Sequence, residues 1–266
     1  MKKNSLFVTI VTIAAFVAAL VIYYVILGDA SHFTNAEKTT PKEHDYFGLM
    51  YTGGIIVPFL ITLTIMAFTF IIERFLSLAK AKGKRDLNAF LVSIEKQLDE
   101  GNIDAAIDSC NQQRGTVANI IRAGLDRFKQ VRSDNRLDTE RKVAEIKKTI
   151  EEATMIETPI LERNLVGLST IASISTMVGL LGTVLGMIRS FQALGASGAA
   201  SATGLAIGIS EALVNTALGI FGAIIAIIFY NFFTNKVDAF VYMIDEASLN
   251  LVENLQTNFL SKSSNG

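Results

Sequence analysis

Apolar residues gather in four nearly continuous runs, Leu6 to Leu27, Gly53 to Ile72, Leu165 to Leu194 and Leu205 to Phe233. A bilayer core of about 30 Å takes roughly 20 helical residues, so each run predicts a transmembrane helix, the last two long enough to tilt or protrude. From Asp86 to Thr158 the pattern changes to helical spacing, as in Leu87, Phe90, Leu91, Ile94 and Leu98, with breaks at Gly101 and at Arg114-Gly115. Asn102 is a suitable cap for a helix carrying Ile103, Ala106, Ile107 and Cys110, which makes Cys110 a small core residue. A second helix is predicted over Val117 to Val131, and the charged stretch Arg132 to Glu157, with Val143, Ile146, Ile150, Thr154 and Ile156, leads toward the third run. The pattern predicts an all-α membrane protein of four transmembrane helices, with a helical domain between the second and third.

Composition supports that class. Of 266 residues 50% are hydrophobic and 18% charged, and 24 Lys+Arg against 25 Asp+Glu give a net charge of -1, so no basic field exists to hold nucleic acid. The mean hydropathy of +0.41 points to the lipid bilayer instead. One cysteine excludes an internal disulfide framework, and two histidines far from it offer no metal-ligand spacing. There is no phosphate-binding glycine loop, no G-x-S-x-G and no His/Cys/Asp cluster, so neither a cofactor nor an enzymatic activity is expected.

The distribution of Lys and Arg orients the chain. Residues 74–163 hold 17 of the 24, five of them (Arg74, Lys80, Lys82, Lys84, Arg85) directly after the second run and assigned as a juxtamembrane basic cluster on the cytoplasmic side. Residues 28–52 hold only Lys38 and Lys42, and the turn Gly195 to Gly204 holds none, which places both outside. The organisation expected is an extra N-terminal transmembrane helix over 1–28, a periplasmic loop over 29–52, transmembrane helices over 53–73, 165–194 and 205–233, a cytoplasmic helical domain over 74–164, a periplasmic turn over 195–204 and a short charged cytoplasmic tail over 234–266. Val25 to Ala30 is a poor cleavage site and the first run, at 22 residues, exceeds a usual signal-peptide core, so the first helix is expected to stay attached.

In the third run Ser169, Ala172, Thr176, Gly179, Thr183, Gly186 and Ser190 follow at steps of three and four, one stripe of small or hydroxyl residues. Gly208, Ala212, Thr216, Gly219, Ala223 and Ala226 make a similar stripe in the fourth. Close helix packing is one explanation, because small residues let membrane helices approach. Packing does not require hydroxyls at matched depth, however. Thr183 lies 11 residues before Leu194 and Thr216 lies 11 after Leu205, which places both about 16 Å from the outer end. On that basis Thr183 and Thr216 are candidates to line a polar path, with Thr176, Ser169 and Ser190 as the other hydroxyls of the same stripe. A hydroxyl relays a hydrogen bond but does not titrate in the ordinary pH range, so an acid must come from elsewhere. Arg189 and Glu211 sit at matched depth and off the hydroxyl stripes, rotated by about 120° and 140° from the two threonines. They are expected to pair and to hold helices or subunits together, a proton-carrying role for Glu211 being the alternative.

The strings Val178-Gly179-Leu180-Leu181-Gly182-Thr183-Val184-Leu185-Gly186-Met187-Ile188 and Gly208-Ile209-Ser210-Glu211-Ala212-Leu213-Val214-Asn215-Thr216-Ala217-Leu218-Gly219 resemble the MotA/TolQ/ExbB proton-channel family, most closely its ExbB branch. The resemblance implies a homo-oligomeric ring, a pentamer in that branch, around the single-span helices of an ExbD-like partner whose membrane aspartate carries the proton. It maps the family's pore threonines onto Thr183 and Thr216 and its glutamate onto Glu211. It also implies an inner-membrane machine that uses proton motive force to energise a TonB-like protein and outer-membrane transport. A TolQ-like envelope-constriction motor, a MotA-like stator or gliding motor, and a non-conducting membrane scaffold or receptor are the other readings. Two departures stand out: Ser175-Thr176 replaces the family's frequent Ala-Pro, which predicts a straighter third span, and the first span is extra.

Overall fold

The computed structural model describes residues 2–134, 136–197 and 202–263, and these are almost entirely helical. The helices are α1 (Lys2–Val21), α2 (Tyr46–Tyr51), α3 (Val57–Lys82), α4 (Leu87–Asp99), α5 (Ile103–Gln113), α6 (Thr116–Arg132), α7 (Thr139–Glu162), α8 (Leu165–Ser197) and α9 (Ala202–Ser263). Four stretches, within Val8–Leu27, Gly54–Asp99, Thr139–Gly195 and Thr203–Thr257, are long and apolar enough to cross a membrane. Part of the expected turn, residues 198–201, lies outside the described residues, as does Met1. The chain divides into two units, residues 1–72 with 164–231, and residues 73–163 with 232–266.

In the first unit α1 runs into a π-helical turn, Ile22–Leu27, whose Tyr23 and Leu27 are buried with Val57. The Tyr23 ring stacks on Tyr51 at 4.7 Å and its hydroxyl donates to the Tyr51 carbonyl at 3.2 Å, which anchors the extra helix. The segment between is folded rather than a slack loop. The Thr34 amide donates to the Thr40 carbonyl at 3.0 Å, Lys38 Nζ donates to the Gly28 carbonyl at 2.5 Å, and His32 Nδ1 meets Asp45 Oδ2 at 2.8 Å. Asp45 also caps α2 by accepting from the Gly48 amide at 3.0 Å. That amide, and secondarily the His32 ring, hold the Asp45 carboxyl below the usual carboxylate range. In α3 the hydroxyls of Thr62, Thr64 and Thr69 each donate to the carbonyl four residues back, satisfying themselves within the helix as a lipid setting demands.

In the second unit the helix ends follow local chemistry. Asp86, Asn102 and Asp138 cap α4, α5 and α7 with their side-chain oxygens. Gly101, at φ +73°, closes α4: its amide donates to the Leu98 carbonyl and the Asn102 amide to Gln97, the paired bonds of a glycine C-cap. Val117, Ile120, Ile121, Leu125, Phe128 and Val131 of α6 form the core face, with Ile146 and Ile150 of α7. Cys110 is buried, and burial pushes its thiol up to about 12.

The residues after Thr234, expected as a short charged tail, continue α9 to Ser263 and enter this core. Val237, Phe240, Ile244, Ala247, Leu251 and Leu255 are all buried, and they recur at three- and four-residue steps. Gly124 sets the contact, because a Cβ there would come to 2.8 Å from Ile150 Cγ1 and 3.0 Å from Leu251 Cδ2. The apolar periodicity was present in the sequence, overshadowed by the surrounding Lys, Asp and Glu.

Candidate functional site: a polar seam between the last two spans

The two small-residue stripes face each other. A Cβ on Gly219 would lie 2.7 Å from the Ser175 carbonyl oxygen and 2.8 Å from Gly179 Cα, and one on Gly186 would lie 2.8 Å from the Gly208 carbonyl oxygen. These neighbours are backbone atoms that cannot rotate away, so glycine is what lets α8 and α9 touch along this line. Gly219→Ala should therefore part the helices and reduce the yield of folded, detergent-extracted chain by severalfold, read by size-exclusion chromatography. Gly195→Ala, with open space around it, should leave the yield unchanged.

Along this contact the Thr183 and Thr216 hydroxyls hydrogen-bond to each other, both half-buried. Each is also within reach of the carbonyl four residues back, Gly179 at 3.3 Å and Ala212 at 3.2 Å. Two hydroxyl protons serve three acceptor positions, so one hydroxyl donates to the other, which donates to its own helix. The chain of bonds runs in either direction with the same heavy-atom positions.

Glu211 and Arg189 form an ion pair. The carboxylate is buried at 8% side-chain exposure while the guanidinium is 50% exposed, so the pair is protected on one side only. A third element completes it. Gly54, at φ +71°, brings the chain just ahead of α3 so close that a Cβ there would come to 2.6 Å from Glu211 Oε1. One residue earlier the Gly53 carbonyl accepts from Asn215 Nδ2 at 2.8 Å. Glu211 and Asn215, four apart on α9, thus meet the Gly53-Gly54 turn side by side. Asn215 is fully buried, its Oδ1 has no partner, and the buried Ser175 Oγ has none either. The amide oxygen is an acceptor and the hydroxyl both donor and acceptor, positions that a water or a polar group from another chain would fill.

The sequence did not mark Asn215 or the glycine pair as site residues, and Ser175 stood out only as part of the Ser175-Thr176 departure from the family pattern. An amide inside an apolar run was the available signal for Asn215; nothing local marked Gly53-Gly54 as its partner. Of the other candidate residues, Ser190 is fully buried and donates to the Leu205 carbonyl at 3.1 Å, Thr176 donates to Ala172 at 3.2 Å beside a groove of α8 and α9, and the Ser169 carbonyl accepts from Ser173. They do not join the Thr183–Thr216 contact.

The juxtamembrane basic cluster divides. Arg74, counted with the juxtamembrane cations, is completely buried: Nε and Nη2 donate to the Glu73 carboxylate at 2.8 and 2.7 Å, and Nη1 donates to the Leu161 carbonyl at 3.0 Å. It caps the C-terminal end of α7, where the carbonyls of the last turn lack intrahelical partners and a cation is favoured. Lys80, Lys82, Lys84 and Arg85 are exposed, as counted.

Fold and site together define a multi-pass membrane protein whose last two spans enclose hydroxyl, amide and ionised side chains in otherwise apolar helices. The sequence model of the MotA/TolQ/ExbB proton channel family matches residues 112–246, just over half of the chain, and the chain belongs to that family. It is similar to the ExbB-like 3 biopolymer transport protein of Synechocystis sp., 45% identical over 91 residues, which are 34% of this chain and 43% of that one. It is similar to the Tol-Pal system protein TolQ of Pseudomonas aeruginosa, 33% identical over 158 residues, 59% of this chain and 68% of the relative. A third relative is the biopolymer transport protein ExbB of Aquifex aeolicus, 32% identical over 117 residues, 44% and 71% of the two chains. The match thus spans under half of the Synechocystis protein and about two thirds of the other two.

Proposed function

We propose that this chain is an ExbB-like subunit of an inner-membrane proton channel, a ring of identical copies that uses proton motive force to energise a TonB-like protein and outer-membrane transport. The observation that carries the reading is the Thr183–Thr216 hydroxyl contact, set in apolar helices beside the unpartnered Asn215 Oδ1. A hydroxyl pair conducts a proton only by relay, so the titrating group is assigned to a single-span, ExbD-like partner with a membrane carboxylate. Each proton crossing 100 mV releases about 2.3 kcal/mol, enough to bias a conformational cycle. In this reading both termini and residues 74–164 face the cytoplasm, as the Lys and Arg count argues, and residues 29–52 form an outer cap on the extra helix.

A TolQ-like motor is the second reading, favoured by the longer stretch over which the Pseudomonas TolQ aligns, 158 residues against 91 for the Synechocystis protein. The test is reconstitution of the full chain with candidate single-span partners in vesicles carrying a pH-sensitive dye. Acidification under an imposed potential that needs both chains and the partner's membrane carboxylate is expected. Stable complexes that pass no protons would establish the scaffold reading instead. Which partner gene product forms the complex separates the ExbB and TolQ readings.

A further inference from the structure

A cavity of about 560 Å³ opens within the second unit, lined from the end of α3, the start of α6 and the end of α7. Four cationic side chains reach it, Lys80, Lys84, Arg114 and Arg163, against one carboxylate, Glu157. That carboxylate is already engaged, its Oε1 accepting from Asn119 Nδ2 at 2.9 Å. Among the described residues the Arg163 Nε is buried with no hydrogen-bond partner, a charged donor without an acceptor in its own chain. Such a group is costly to leave unmet.

The cations are held in place before any ligand arrives. Gln113, almost fully buried, accepts from the Arg85 amide at 3.0 Å and donates to the carbonyls of Lys82 and Arg85 at 3.2 and 2.9 Å, while the Lys84 amide donates to the Gln113 carbonyl at 2.9 Å. Gly83 and Gly115, at φ +84° and +112°, allow these two segments to cross in contact. Lys84 and Arg114 are thereby fixed on one wall. On the same wall begins α6, 17 residues long and without a side-chain cap at Gly115, so its positive end adds to the field.

We propose that this cavity binds a phosphate-type oxyanion, as the headgroup of an anionic lipid or as part of a soluble phosphorylated molecule. Guanidinium and ammonium groups beside an uncapped helix start suit a tetrahedral, multiply charged oxyanion, and a net excess of three positive charges calls for more than one negative charge. The cavity is much larger than a phosphate group, so the ligand carries further atoms. The inference does not depend on proton conduction by the spans.

The test uses the full chain in neutral detergent, with thermal unfolding read against pyrophosphate, against sodium chloride of equal ionic strength, and in nanodiscs of phosphatidylglycerol or of phosphatidylcholine. A higher Tm is expected with pyrophosphate over the salt control, or in phosphatidylglycerol over phosphatidylcholine, and the responding arm identifies the source. Lys84→Gln/Arg114→Gln should weaken the response about tenfold or more, whereas Lys82→Gln/Arg85→Gln, which removes equal charge outside the cavity, should keep it. Glu157→Gln removes the opposing carboxylate among the described lining residues and should strengthen the response, a result that stands even if the first variant folds poorly. No response in either arm, or equal loss in both double variants, would overturn the proposal.

Discussion

Thr183→Val and Thr216→Val, made singly, should each cut partner-dependent proton flow by about tenfold or more while leaving assembled chain at wild-type levels. Valine preserves the shape of threonine and removes only the hydroxyl. After either change the surviving hydroxyl still donates to the carbonyl four residues back, Gly179 or Ala212, so no buried donor is stranded and the helix pair keeps its packing. The relay, however, is cut at its one bond between helices. A lost hydrogen-bond partner in a water-poor site is worth about 1–3 kcal/mol, roughly 5- to 150-fold in a rate that depends on it. The measurement is dye-reported proton uptake into vesicles at matched protein amounts. A chain whose spans only hold a scaffold together would be indifferent to both changes.

Breaking the Arg189–Glu211 pair should have the second large effect, and an asymmetric one. Arg189→Met leaves a carboxylate enclosed by α9 and the Gly54 turn without its cation, a loss of about 3 kcal/mol in assembly. Glu211→Gln leaves a guanidinium that is already half exposed and free to reach headgroups, so about 1 kcal/mol is expected. Combining the two should recover part of the larger loss. Thermal stability and oligomer size of the four proteins are the measurements. If both single variants assemble normally yet pass no protons, the pair belongs to the proton path rather than to the framework.

How much of this was readable in the chain differs by residue. Four apolar runs specified four spanning helices, because length and hydrophobicity alone decide whether a segment crosses a bilayer. Asn102 announced a helix start because a cap acts over three residues. The pairing of Thr183 with Thr216 and of Arg189 with Glu211 was approachable because two antiparallel helices close together in the sequence match depths by simple counting. Charge counting placed Arg74 in the juxtamembrane basic cluster but not its burial, because counting has no knowledge of a carbonyl 87 residues away at Leu161.

Membrane class, the helical character of the polar region and a small-residue stripe on each of the last two spans are thus properties of the amino-acid sequence itself, since each depends on local periodicity or composition. Tertiary structure alone decided that the Gly53-Gly54 turn meets Glu211 and Asn215, that the end of α9 completes the core of the second unit, and that Lys80, Lys84, Arg114 and Arg163 surround one cavity. Those juxtapositions join segments far apart in the chain, and only packing selects which distant groups meet.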